Sequence, residues 1–144
     1  MTGTPAPVRR NGYPGYTRTG RRASATAAEG RELVRAALSA WELDSQTDTA
    51  VLLMSELVTN AVRHAHGSIV RMTVNRPADD WVRVAVVDTT PHRLPQLQNP
   101  DPGDEHGRGL VLIEALADRW GYDFVGAGHN PWGKCVWAEL QVSR

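Results

Sequence analysis

Residues 45–66 read as a single helix that is apolar on more than one side, and such a helix has to be covered by other layers of the fold. Val51, Met54, Val58, Ala61, Val62 and Ala65 make one broad apolar stripe at helical spacing. Glu56 and Asn60 are four apart, so one stands above the other on the opposite side, and His64 continues their line by a further turn. That side is no ordinary solvated face, because Leu52, Leu53 and Leu57 flank the two polar residues. A carboxylate and an amide ringed by leucines suggest a pocket wall, although for this pair alone a polar face on an amphipathic helix is the simpler reading. In a pocket, an amide oxygen is a neutral hard donor suited to a Mg²⁺ ion that already carries phosphate ligands. A carboxylate beside it can orient or deprotonate an attacking hydroxyl.

The elements around this helix come from periodicity. Ala27, Leu33, Val34, Ala37, Leu38 and Trp41 predict an earlier helix over 26–41. Ser45 and Asp48 resemble a capping box that opens the second helix, and Gly67 closes it. Alternation in "SIVRMTVN" (68–75) and the β-branched run "WVRVAVV" (81–87) predict an antiparallel pair joined by the five residues 76–80. After Asp88 comes an eighteen-residue stretch, 89–106, with four prolines and no periodicity. Loops beyond about 12–15 residues are uncommon in compact domains and often serve as binding lids. The segment "GRGLVLIEALADRWG" follows, predicting a helix over 109–119 with Leu110, Ile113, Ala117 and Trp120 on its inner stripe, and strands near 121–127 and 134–142 close the chain. The expected architecture is a single α+β sandwich, a mixed but mostly antiparallel sheet with helices on one face. Residues 1–24, with five Arg and no acidic residue, read as a flexible basic tail that includes an edge strand near Tyr13–Arg18.

Composition narrows the functional classes. Sixteen basic residues balance sixteen acidic ones, so no global field draws the chain to nucleic acid or to an anionic membrane. No run approaches the roughly 18–20 apolar residues of a transmembrane helix, and the N-terminus lacks an apolar signal core. Cys135 is the only cysteine, which excludes an intramolecular disulfide and fits a cytoplasmic setting. Lys134 is the only lysine.

Two further features bear on chemistry. Asp88 ends a buried strand at the root of the long loop, where a carboxylate can accept a hydrogen bond from an amino group such as that of adenine; a turn-forming Asp is the plainer alternative. Gly107 and Gly109 open a helix with Arg108 between them. Glycines there admit phosphate oxygens to backbone N–H groups and to the positive end of the helix dipole, though Gly-x-Gly also serves as an ordinary opening turn. Residues 128–135, "GHNPWGKC", nearly spell a P-loop, but Cys135 replaces the required hydroxyl and a strand pattern follows instead of a helix. Lys134 either reaches a phosphate from the last strand or is a solvated edge lysine. Gly107-Arg108-Gly109 follows a polar loop rather than a strand, against a Rossmann site. His64 and His66 lie two apart on different faces of the helix, against zinc.

The order of these features, with "ELVTNAVRHA", "VVDTTP" and "GRGLVLIEALADRWG", resembles the N, G1 and G2 boxes of the GHKL ATPases, which share the Bergerat nucleotide-binding fold. Within that superfamily the chain is most similar to the small anti-sigma-factor serine kinases and related regulatory ATP-binding proteins. The likeness covers roughly residues 26–142, and "GKCVWAEL" looks like the branch's closing strand. It implies ATP or ADP with Mg²⁺ as ligands, Asn60 as the metal ligand, Glu56 as the general base and Arg63 near the phosphates. It also implies Asp88 on the adenine amino group, and Gly107, Arg108 and Gly109 at the phosphates beneath the 89–106 lid. Thr89, Thr90 and Pro91 stand where the G1 box has glycines, a Ser/Thr-Pro step that this branch often shows. The implied partners are a sigma factor and an anti-sigma-factor antagonist, with homodimerisation expected.

Three functional classes fit these residues. The first is a protein kinase that transfers the γ-phosphate of ATP to a serine of the antagonist. The second is a nucleotide-binding partner-switching module without phosphotransfer, and the third is an interaction domain without nucleotide.

Overall fold

The structure, a computed structural model, describes residues 4–5, 14–92, 108–126 and 128–142. Its strands are β1 (Thr4–Pro5), β2 (Tyr16–Arg21), β3 (Ile69–Ala78), β4 (Trp81–Asp88), β5 (Arg119–Val125) and β6 (Gly133–Gln141). They form one sheet in the order β1-β2-β3-β4-β6-β5. Every pairing among the described residues is antiparallel, so the expected mixed sheet is antiparallel throughout. Among the described residues the sheet is accompanied by the α-helices α1 (Thr26–Ala40), α2 (Thr47–His64) and α3 (Arg108–Leu116). α1 lies over β2 and β3, α2 over β3, β4 and β6, and α3 against α2 and β5. No helix among the described residues is long and apolar enough to cross a membrane.

Period-two alternation decides which side of the sheet the helices cover. Val70, Met72 and Val74 of β3 and Val82, Val84 and Val86 of β4 are all buried, as are Ala138 and Leu140 of β6. They are cross-strand neighbours: Met72 is paired with Val86, Val74 with Val84 and Val84 with Ala138. Leu33, Val34 and Leu38 of α1 and Leu53, Met54, Leu57 and Val58 of α2 close on them to make the core. Burying each such side chain contributes about 1.5–3 kcal/mol.

On α2 the buried line is Ala50, Leu53, Met54, Leu57, Val58 and Ala61, so Leu53 and Leu57 belong to the core stripe. Glu56 and Asn60, both half-buried, therefore lie on the flank of that stripe instead of opposite it. The capping box at Ser45–Asp48 does not form. A 3₁₀ turn at Asp44–Gln46 leads into α2, whose N-cap is Gln46 without a side-chain cap bond. At the end of α1, Glu42 takes φ 59° and lets the Leu43 N–H reach the Leu38 carbonyl at 2.8 Å. That turn sends Leu43 into the core.

The hairpin is tighter than the sequence suggests. β3 continues to Ala78, which pairs with Trp81 across Asp79–Asp80, and its register shifts between Asn75 and Ala78. Pro77 cannot donate to the ladder, and the bulge accommodates it. Arg76, 1% exposed, donates from Nε and Nη2 to the Asp79 carbonyl at 3.2 and 2.7 Å and holds the turn.

The N-terminal boundary moves as well. The fold begins within the stretch read as tail, because the strand expected near Tyr13–Arg18 forms at Tyr16–Arg21, paired residue by residue with Ile69–Val74. Arg18 sits on its inner side and is held by Glu29 at 2.9 Å and Glu32 at 3.5 Å from α1. Arg18 thus serves docking within the fold.

Candidate functional site

Asp88 is the last residue of β4 and points to the same side of the sheet as Val84 and Val86. It is 3% exposed. The backbone beyond it is tied to the end of α2. The Thr90 hydroxyl accepts from the His66 N–H at 2.6 Å, and the Thr89 and Thr90 hydroxyls donate to the His66 carbonyl at 3.2 and 3.3 Å. Gly67 makes this contact possible. Its φ of +90° is open to glycine, and a β-carbon there would overlap the Thr89 hydroxyl. From the other side Arg22 donates to the Gly67 carbonyl at 2.7 Å and to the Val62 carbonyl at 2.8 Å, supplying cationic partners to carbonyls at the helix C-terminus. The end of α2, which carries Asn60 and Arg63, is thereby fixed to the end of β4, which carries Asp88.

Glu56 and Arg63 are seven apart on α2, hence two turns along one face. Burial raises the affinity of the Glu56 carboxyl for its proton above the ordinary carboxylate value, and the Arg63 charge opposes that shift. A half-buried carboxyl held toward its neutral form is a better proton acceptor near neutrality than a solvated one. Arg108 and Gly109 begin α3, which packs on α2, so the helix start lies on the same side of the sheet as Asn60 and Asp88. Gly107 lies outside the described residues, as does most of the 89–106 loop.

Lys134 occupies a place that spacing did not indicate. It is the cross-strand partner of Asp88 in the β4–β6 pair and is only 4% exposed. Its Nζ stands 3.0 Å from Asp88 Oδ1 and 2.9 Å from Oδ2, and donates to the Thr90 carbonyl at 2.7 Å. Asp88 Oδ1 also accepts the Thr90 N–H at 2.8 Å. The ammonium is thus engaged at the Asp88 end of the site and is not a solvated edge group. The near-P-loop dissolves for the same reason: Gly133 and Lys134 open β6. The next partner along this row is Phe124 of β5, an aromatic ring 53% exposed and in edge contact with Tyr122, centroids 5.9 Å apart. An acceptor, a cation and an aromatic ring therefore follow one another across three strands on one face. The sequence signal for this row was weak. Lys134 stands out as the sole lysine, but only strand register sets it opposite Asp88.

The other face of the sheet carries a separate cluster. Glu139, 4% exposed, is gripped by Arg83 at 2.9 Å and Arg119 at 3.0 Å, whose guanidinium groups lie over Trp137 at 4.3 Å and Trp81 at 3.5 Å. Cys135 is on this side too. Burial, then Asp123 and Asp88, push its thiol up against the opposing pull of Arg83, which disfavours the reactive thiolate.

This antiparallel sheet, with Asn60, Asp88 and the start of α3 on its covered side, can be set beside known proteins. Residues 22–139 match the histidine kinase-like ATPase domain family. The chain belongs to that family. Membership implies a nucleotide site in this ATPase domain. The chain is 38% identical over 74 residues to an uncharacterized protein of Streptomyces coelicolor, SCO4941, a match covering 49% of this chain and 69% of that protein. Its fold is similar to that in the crystal structure of the RsbU and RsbW domains of Rv1364c from Mycobacterium tuberculosis, with a TM-score of 0.64 and 22% identity over 94% of this chain. This ATPase domain corresponds to 34% of that solved chain, so it spans about a third of the larger protein.

Proposed function

We propose that this ATPase domain is an ATP-binding regulator of the anti-sigma-factor type that phosphorylates a serine or threonine of an antagonist protein. What carries the reading is the stitching of Thr89 and Thr90 to His66. It holds the α2 terminus and Asp88 on one side of the sheet, in a chain matching the ATPase family over 22–139. Asp88 accepts the adenine amino group. Gly107, Arg108 and Gly109 meet the phosphates at the start of α3, and Arg63 lies near them. The half-buried amide of Asn60 and carboxyl of Glu56 are hard oxygen donors, which suits Mg²⁺. Bound through Asn60 and the phosphates, that ion would neutralise phosphate charge. Glu56 orients the acceptor hydroxyl and takes its proton.

The second reading is a partner-switching module that binds nucleotide without transferring phosphate, and Thr89, Thr90 and Pro91 in place of the G1-box glycines favour it. Titration with Mg·ATP by calorimetry and by thermal unfolding tests nucleotide binding. The wild type is expected to bind and Asn60→Ala to lose the Mg-dependent part; unchanged affinity in that variant overturns the site assignment. Labelled ATP incubated with candidate antagonist proteins separates the two readings. Transfer that Glu56→Gln abolishes while binding survives supports the kinase, and no transfer to a genuine binding partner leaves the passive module.

A further inference from the structure

Resting on the reading that Asp88 accepts the nucleobase amino group, we propose that Lys134 determines affinity and base preference by competing with the base for that carboxylate. One ammonium has three protons, and Lys134 donates two of them, to Asp88 Oδ1 and to the Thr90 carbonyl, while Asp88 Oδ2 stands in ion-pair contact at 2.9 Å. The Thr90 N–H takes a further position on Oδ1. A carboxylate offers about four lone-pair sites and the two on Oδ1 are taken, so a base must bind at Oδ2, whose charge is already compensated by a buried cation 2.9 Å away. A base that presents an amino donor must share the carboxylate with the ammonium or displace it. A base that presents a carbonyl oxygen instead meets a ready N–H donor. The site therefore separates 6-amino from 6-oxo purine nucleotides poorly, and ATP binds weakly until the Asp88–Lys134 pair opens.

Because Lys134 is the only lysine, the wild type reports on it directly. In protein labelled with ¹⁵N-lysine, the single Nζ signal is expected to shift on titration with Mg·ATP. A signal unmoved at saturating ATP overturns the proposal. Lys134→Gln and Lys134→Thr, checked for folding by circular dichroism, are then titrated with Mg·ATP and Mg·ITP. ATP is expected to bind about tenfold tighter and ITP no tighter, so that the ITP/ATP ratio of Kd rises, a change that mere loosening of the fold would not produce. Tighter binding of neither nucleotide, or of both equally, overturns the competition while the nucleotide site stands. Absence of nucleotide binding in the wild type and both variants overturns the site and the proposal together.

Discussion

Gly133 lies so close to Asp88 that a β-carbon added to it would overlap the Asp88 carbonyl oxygen. The first residue of β6 thus sets how near that strand comes to the end of β4, and with it the reach of Lys134, the next residue, to the Asp88 carboxylate. Gly133→Ala is expected to destabilise the protein by about 1–3 kcal/mol, the range for overpacking where backbone cannot give way. A urea titration checks it, and a midpoint equal to wild type would show that the strands can part without loss.

The Asp88–Lys134 pair is nearly inaccessible on both sides, with side chains 3% and 5% exposed. Removing one partner of such a pair leaves a buried charge uncompensated, so Asp88→Ala and Lys134→Met are each expected to cost about 3–5 kcal/mol. The double variant is expected to cost less than the sum of the two, which denaturant midpoints arranged as a double-mutant cycle measure directly. Strict additivity would mean that the two groups do not interact.

Glu139 is buried between two arginines on the sheet face away from the helices. Glu139→Gln keeps the shape but weakens two charge-assisted bonds, for an expected loss of about 1–3 kcal/mol. Since Asp88 and Asn60 lie on the other side of the sheet, nucleotide affinity measured by calorimetry below the melting range is expected to stay at the wild-type value.

Glu56 supplies a pH dependence. Its proton affinity is raised in the folded state by burial, so the native protein binds more protons there than the unfolded chain does. The ionised side chain therefore lowers stability, an effect absent below the ordinary value of 4.5 and developing as pH climbs through the higher folded value. Glu56→Gln is expected to raise Tm at pH 7, with the gain fading as pH falls toward 4. A gain of equal size at both ends of that range would assign the effect to something other than ionisation.

Much of this molecule is written locally. Helical spacing of Leu33, Val34, Ala37 and Leu38 fixes α1, and alternation through Val70, Met72 and Val74 fixes the inner side of β3, because side-chain direction follows from backbone period alone. The placement of Asn60 and Asp88 was legible for a related reason: each sits at the end or on one face of an element whose type the pattern settles. Where local signals competed, they misled. The Ser45–Asp48 pattern gave way to a 3₁₀ turn, and Pro77 marked a bulge inside the strand instead of its end.

Sequence by itself determined the elements, their order and the family to which the chain belongs. Tertiary structure alone decided what the charged residues do. Arg18 docks on Glu29, Arg22 caps α2, and Lys134 meets Asp88 only because β6 pairs with β4 in one register out of several. A charged side chain carries no period that names its partner. Its energy depends on distance and on the burial of both groups, and neither quantity exists until strands far apart in the chain are brought together.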